Sequence, residues 1–360
     1  MLTLPLLLAL TGCNLLELTP TSQVVRARVA GVEAEPAEIG LGESTTLRSL
    51  LVHPPAQTPA LGQIWFACLE TESAGGCLGF DLAGAIDGEG DDDDDATDPP
   101  DLQSGDVQFG IGETFEYTAE GPLLEEAWAA LDPADRVEGL TLLVAVNYVE
   151  RSNEELTSLL IALGTALQTG NQENLDLLVD EFTGLLDNSI TAARRVVISD
   201  KSAGAPSPVE CPVSELAPNQ NPEFVGLTVH ADRSGFDEGF PLGPVTFVRP
   251  EESLTLRPQL GEDARENYLF IDRNAVTHCR REDPYFAWVA SGGASMSSDY
   301  SFVAEEGDLE EVEGRPKVNR ITMPPAEEFP AEGVDLWVVL RDRRGGLVWT
   351  ERRFLQYDTP

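Results

Sequence analysis

Glu43-Ser44-Thr45-Thr46-Leu47-Arg48 and Glu252-Ser253-Leu254-Thr255-Leu256-Arg257 agree at all but one position, although they lie far apart in a chain of 360 residues. Each copy follows a Pro-containing stretch, Glu35-Pro36 in the first and Arg249-Pro250 in the second. Polar and apolar residues alternate in both, as in a strand that buries one face. Downstream of each comes an aromatic strand, Gln63-Ile64-Trp65-Phe66-Ala67 and Tyr285-Phe286-Ala287-Trp288-Val289, whose Trp is large enough to plug a core. Each copy closes with a long apolar strand and then a strand bearing paired arginines. Residues 140–148 are followed by Arg194-Arg195-Val196-Val197, and residues 334–340 by Arg352-Arg353-Phe354-Leu355. The same order of elements twice predicts a duplicated unit.

Short strands separated by Gly and Pro turns predict a mainly β chain built as sandwiches, because two facing sheets bury the apolar face that one sheet leaves wet. The pattern resembles the bacterial immunoglobulin-like and fibronectin-like domains of cell-envelope proteins. That resemblance implies two immunoglobulin-like β-sandwich domains and a binding, adhesion or scaffold role, and it names no ligand. The chain departs from the antibody type: Cys68 lies on the Trp65 strand itself, and no cysteine follows on the core strands to bridge the sheets. The expected boundaries are residues 24–201 and 209–360. Ser202-Ala203-Gly204-Ala205-Pro206-Ser207-Pro208 reads as an exposed linker (202–208) about which the two domains swing.

Leu10-Thr11-Gly12-Cys13 closes an apolar leader over residues 2–10 and resembles the lipobox of bacterial lipoproteins. The resemblance implies that residues 1–12 are a signal peptide, that Cys13 carries lipid, and that residues 13–23 tether the chain to a membrane surface it does not cross. No Lys or Arg precedes the apolar run, a departure from the usual leader. Asn14 does not match the Asp retention signal of some lipoproteins, which directs the expectation to the outer membrane of a bacterial cell envelope.

The chain holds 63 acidic and 23 basic residues, a formal charge of −40, with Lys only at Lys201 and Lys317. A nucleic-acid backbone would be repelled. With Cys13 assigned to lipid, four cysteines remain in an oxidising compartment. Cys68 and Cys77 fall in one half and Cys211 and Cys279 in the other, so these are the economical pairs. A zinc site competes poorly, since no Cys-x-x-Cys occurs and His278 is the one histidine near a cysteine.

Two insertions distinguish the first copy. Residues 153–190 read as a helical hairpin: Leu156, Leu159, Leu160, Leu163 and Leu167 share one helix face and Leu175, Leu178, Val179, Phe182, Leu185 and Leu186 another, with Gly170 and Asn171 as stop and cap. These stripes either pack on the sandwich or leave an apolar seam for a partner. Residues 84–106 form an acidic loop too charged to bury a core. Within it Asp91, Asp93 and Asp95 alternate as calcium ligands do, but an EF-hand would need Gly at Ala96 and Glu at Leu102.

Chemistry-bearing motifs are sparse. His53, His230 and His278 stand in no metal-ligand spacing, and no nucleophile elbow or phosphate-cradling glycine loop occurs. Asp283-Pro284-Tyr285 and Ser297-Ser298-Asp299-Tyr300 flank the Trp288 strand and either line a sugar or peptide groove or form a core edge. The expectation is a non-catalytic, lipid-anchored envelope protein without a cofactor, engaging an envelope protein or a cell-surface polymer. The alternatives are an accessory subunit docking through the hairpin and a carbohydrate-active or other hydrolytic enzyme, since acidic pairs are abundant.

Overall fold

A computed structural model describes residues 21–55, 61–69, 107–204, 209–231, 239–261, 264–272, 276–303 and 318–357. The fold is mainly β, and its strands form two sets of paired sheets. The first set contains β1 (Arg28–Glu35), β2 (Glu38–Ile39), β3 (Ser44–Val52), β4 (Gly62–Leu69), β5 (Gln108–Ile111), β6 (Thr114–Thr118), β7 (Leu140–Val149) and β8 (Ile190–Ile198). One sheet runs β1-β3-β6 and the other β2-β8-β7-β4-β5, with β2 parallel to β8. The second set contains β9 (Phe224–Ala231), β10 (Phe240–Pro241), β11 (Val245–Val248), β12 (Ser253–Leu260), the hairpin β13 (Asn267–Ile271) and β14 (Thr277–Arg281), β15 (Tyr285–Ala290), β16 (Ser295–Met296), β17 (Tyr300–Phe302), β18 (Asn319–Thr322), β19 (Val334–Arg341) and β20 (Leu347–Gln356). Its sheets run β10-β9-β12-β18-β16 and β11-β20-β19-β15-β17, with β11 parallel to β20. Strand for strand, β1-β3-β6 answers to β9-β12-β18, and β2-β8-β7-β4-β5 to β11-β20-β19-β15-β17.

The repeated hexapeptide makes the same contacts in both halves. Glu43 Oε2 accepts from Gly40 N at 2.8 Å and Glu252 Oε2 from Arg249 N at 2.8 Å, each closing the turn that leads into the strand. Ser44 Oγ meets Thr118 Oγ1 at 2.9 Å, and Ser253 Oγ meets Thr322 Oγ1 at 2.9 Å. Both turns need a left-handed residue just before the Glu, Gly42 at φ +79° and Glu251 at φ +59°. Only the first copy has the glycine that this conformation favours. Glu251→Gly should therefore raise the urea midpoint by an amount worth about 0.5 kcal/mol, the relief of strain exceeding the added unfolded-chain entropy. A lowered midpoint would contradict it.

Trp65 and Trp288 are fully buried at the centre of their respective cores. Trp65 Nε1 donates to Gly112 O at 2.8 Å and Trp288 Nε1 to Ser301 Oγ at 2.9 Å, so neither indole leaves its donor unpaired.

The central strands are apolar on both faces because both faces are covered. On β7, Leu142, Val144, Val146 and Tyr148 enter the first core, while Leu143 and Val149 lie under helices α3 (Asn153–Thr169) and α4 (Gln172–Asp187). Two shorter helices, α1 (Pro122–Ala130) and α2 (Pro133–Glu138), precede β7 and were not foreseen; nor was the β13–β14 hairpin. Ser152 and Glu155 form a reciprocal cap on α3: Ser152 N donates to Glu155 Oε2 at 2.8 Å and Glu155 N to Ser152 Oγ at 3.2 Å. Gly170, at φ +65°, ends α3, and Asn171 Oδ1 accepts from Asn174 N to begin α4. Among the described residues no helix is long and apolar enough to cross a membrane.

On β19, Val334, Leu336, Val338 and Leu340 enter the second core. Its opposite face, Trp337 and Val339, packs with Val289 and Leu347 against Val24, Leu50 and Val52 of the first half. This fourth apolar cluster joins the halves, and hinge motion would return fully buried side chains such as Val52 and Val339 to water. Residues 21–24, whose first three fall within the expected tether, are also fixed. Ala290 N donates to Ser22 O at 2.7 Å and Val24 N to Ala290 O at 2.9 Å.

Candidate binding cleft

A cleft of about 880 Å³ opens where the halves meet. β1 and β8 supply one wall; Tyr285, Tyr300, Phe302 and the β19–β20 turn supply the other. Arg194, Arg195, Arg341 and Arg343 all line it, in a chain that owns only 23 basic residues. The lining contains no carboxylate, His, Cys or Ser.

Two of these guanidinium groups bind the outer edge of β1. Ala30 is a bulge in the register of β1 with β3. Its carbonyl accepts from Arg341 Nη2 at 2.9 Å, and the Val32 carbonyl accepts from Arg194 Nη1 at 2.5 Å. Arg194 Nη2 also donates to Gly345 O on the far wall. These carbonyls engage some of the donors but cancel no charge. Burial pushes the Arg194 guanidinium down to about 10, with Asp342 and Glu33 pulling it back up, so it stays protonated at neutral pH. Its Nε is buried without a hydrogen-bond partner among the described residues. Arg343, half-exposed, lies 5.5 Å from the Tyr285 ring centroid and 3.6 Å from Asp283 Oδ2. Tyr285 in turn stands edge-on to Tyr300 at 5.9 Å.

A buried polar chain keeps the walls in place. Asp342 Oδ1 accepts from the backbone N–H groups of Arg344, Gly345 and Gly346 at 2.7, 3.0 and 2.8 Å, and its Oδ2 accepts from Asn219 Nδ2 at 2.9 Å. Asn219 N donates to Glu38 Oε2 at 2.6 Å, and Glu38 Oε1 pairs with Lys201 Nζ at 2.6 Å. Residues on both sides of the expected linker (202–208) are thus tied, Lys201 before it and Asn219 after it; residues 205–208 lie outside the described residues. Across the same junction the motif's Arg48 lies 5.4 Å from the Trp349 ring centroid and pairs with buried Glu33 at 2.5 Å.

Behind the β19–β20 turn, Arg344 Nη1 pairs with Glu282 Oε1 at 2.9 Å while its guanidinium covers the Tyr268 ring at 4.2 Å. Burial pushes the Glu282 carboxyl up to about 6, against the pull of Arg344. A carboxyl raised in the folded state binds its proton more tightly there than in the unfolded chain. Stability at this site is therefore gained as pH falls from about 6 toward the ordinary glutamate range and lost again as pH rises. The wild type should gain about 1.5 kcal/mol relative to Glu282→Gln between about pH 7 and about pH 4.5. Parallel urea titrations check this; a wild-type and variant difference that is flat across that window would contradict it.

Cys211 and Cys279 form a disulfide with Cα atoms 5.5 Å apart, fastening the segment after the linker to β14. Cys68 is disulfide-bonded, and Cys77, its expected partner, lies outside the described residues. Cys13, the acidic loop and Asp91, Asp93 and Asp95 also lie outside them. Among the described residues no cluster of three metal-ligating side chains occurs, and His278 Nε2 meets Asp272 Oδ2 at 2.9 Å. The Asp283–Tyr285 and Ser297–Tyr300 stretches divide between two roles: Tyr285 and Tyr300 line the cleft, whereas Asp299 holds Thr21 and Ser22. The arginine set escaped sequence reading, apart from the Arg194-Arg195 pair.

No protein-family model and no curated protein matches the chain. Among solved structures, murine CEACAM1b aligns over 92% of this chain and 100% of its own at 8% identity and a TM-score of 0.18. Red sea bream transglutaminase aligns over 93% of this chain and 32% of its own at 8% identity and 0.21. The Yersinia pseudotuberculosis adhesin InvE aligns over 91% of this chain and 60% of its own at 12% identity and 0.18. At these TM-scores the alignments carry no argument about ligand or activity, which rest on the chain's own residues.

Proposed function

We propose that this chain is a non-catalytic binding module of the bacterial cell envelope: two immunoglobulin-like sandwiches, the first with a helical hairpin inserted, fused into one block and held at the outer membrane by lipid on Cys13. The single observation carrying the binding role is the junctional cleft, because its lining offers guanidinium donors and aromatic faces without a carboxylate, His, Cys or Ser. Binding there draws on both halves at once. The fused junction supports a site of fixed shape, since a ligand then meets walls that need little reordering.

Replacing Tyr300 with a photo-crosslinking residue in the full chain, in intact cells, tests this role; capture of an envelope partner or polymer is expected. A second reading, accessory docking through the hairpin, is favoured by the exposure of Ile161 (66%) and Leu177 (65%) on α3 and α4. The same crosslinker at Leu177 decides between them: capture at Leu177 alone overturns the cleft. Mass spectrometry of the membrane-derived protein tests the anchor, with an acylated Cys13 expected and an unmodified one contradicting it.

A further inference from the structure

We infer that the junctional cleft takes an acidic oligosaccharide, its carboxylates held by the guanidinium groups of the cleft and its rings laid against Tyr300 and Tyr285. The inference rests on the cleft being the binding site proposed above and adds the class of ligand.

Three observations converge on that class. First, the charge of the lining opposes the charge of the molecule. Four arginines share a cleft without a carboxylate in its lining, with Asp283 standing beside Arg343 at 3.6 Å, while the whole chain carries −40. A guanidinium presents parallel donors that match a carboxylate. Densely charged chains such as polyphosphate would meet the repulsion of the remaining surface, whereas a glycan carries at most one carboxylate per ring.

Second, the aromatic side chains offer ring faces. Tyr300 is 45% exposed on edge strand β17, set edge-on to Tyr285. Rings of this kind give an apolar face with a polar rim, the complement of a sugar's C–H face and hydroxyl edge. Third, the cleft disfavours a peptide added as a strand. Such a peptide needs the free carbonyls of β1, and those of Ala30 and Val32 already accept from Arg341 and Arg194. A glycan needs no strand edge.

Isothermal titration of the intact protein with oligogalacturonate, with neutral oligogalactose of equal length, and with poly-glutamate tests the inference. Tyr300→Ala and Arg343→Asn are the variants. Arg343 sits at φ +70° with its side chain 52% exposed, a setting that accepts Asn without disturbing the core. Saturable, salt-weakened binding of oligogalacturonate alone is expected, reduced about tenfold or more by each variant. Absent binding, equal binding of the neutral glycan, or variants that bind as well as wild type would overturn the inference. Poly-glutamate binding that both variants weaken would overturn the glycan while leaving the cleft as a binding site. No binding of any probe, together with no crosslinking at Tyr300 in cells, would overturn both readings.

Discussion

Trp337→Ala is expected to destabilise the whole chain by about 3–5 kcal/mol, the cost of emptying a close-packed core of its largest side chain. Trp337 is 3% exposed, yet it faces away from the second core and into the cluster shared with Leu50 and Val52. In a pair of hinged domains that face would be wet, and truncating a surface Trp costs well under the core value, about 0.5 kcal/mol. The size of the loss therefore reports whether the junction is a core. Urea unfolding monitored by circular dichroism measures it, and a loss below about 1 kcal/mol would place the junction among ordinary surface contacts.

Asp342→Ala is the second large effect, expected at about 3 kcal/mol or more, because buried donors lose their acceptor together. The backbone N–H groups of Arg344, Gly345 and Gly346 and the Asn219 amide all point at a carboxylate that is 1% exposed. Asp342→Asn keeps the shape and one acceptor oxygen, so its cost should fall to about half. The same turn presents the Gly345 carbonyl to Arg194, so the alanine variant should also loosen the cleft wall. Faster hydrogen exchange at residues 343–346 than in wild type is the accompanying sign; unchanged exchange with unchanged stability would mean the turn holds without its carboxylate.

Much of the architecture was legible in two hexapeptides. Glu43 and Glu252 close equivalent turns, and Ser44 and Ser253 meet equivalent threonines, so the repeated letters are repeated contacts. The apolar runs of β7 and β19 also signalled burial on two faces. What covers the second face was not legible, because helices cover it in one copy and the other half of the chain in the other. A linker rich in Ser, Ala and Pro reads as flexible, while Lys201, Asn219 and Asn221 on either side of it make pairings that no local pattern announces. The cleft was legible only in fragments. Tyr285 and Tyr300 stood out as an aromatic edge and Arg194 as half of a pair, but Arg341 and Arg343 join them only through the docking of the halves.

Cleaving the chain between its halves tests the central claim most directly. A protease site placed at residues 205–208 and cut in the folded protein leaves Cys211–Cys279 within one fragment, so that disulfide does not tether the pieces. Co-elution of the two fragments from a sizing column, with separation only in denaturant, is the predicted result. Two folded fragments eluting apart would contradict a fused block and, with it, a cleft of fixed shape.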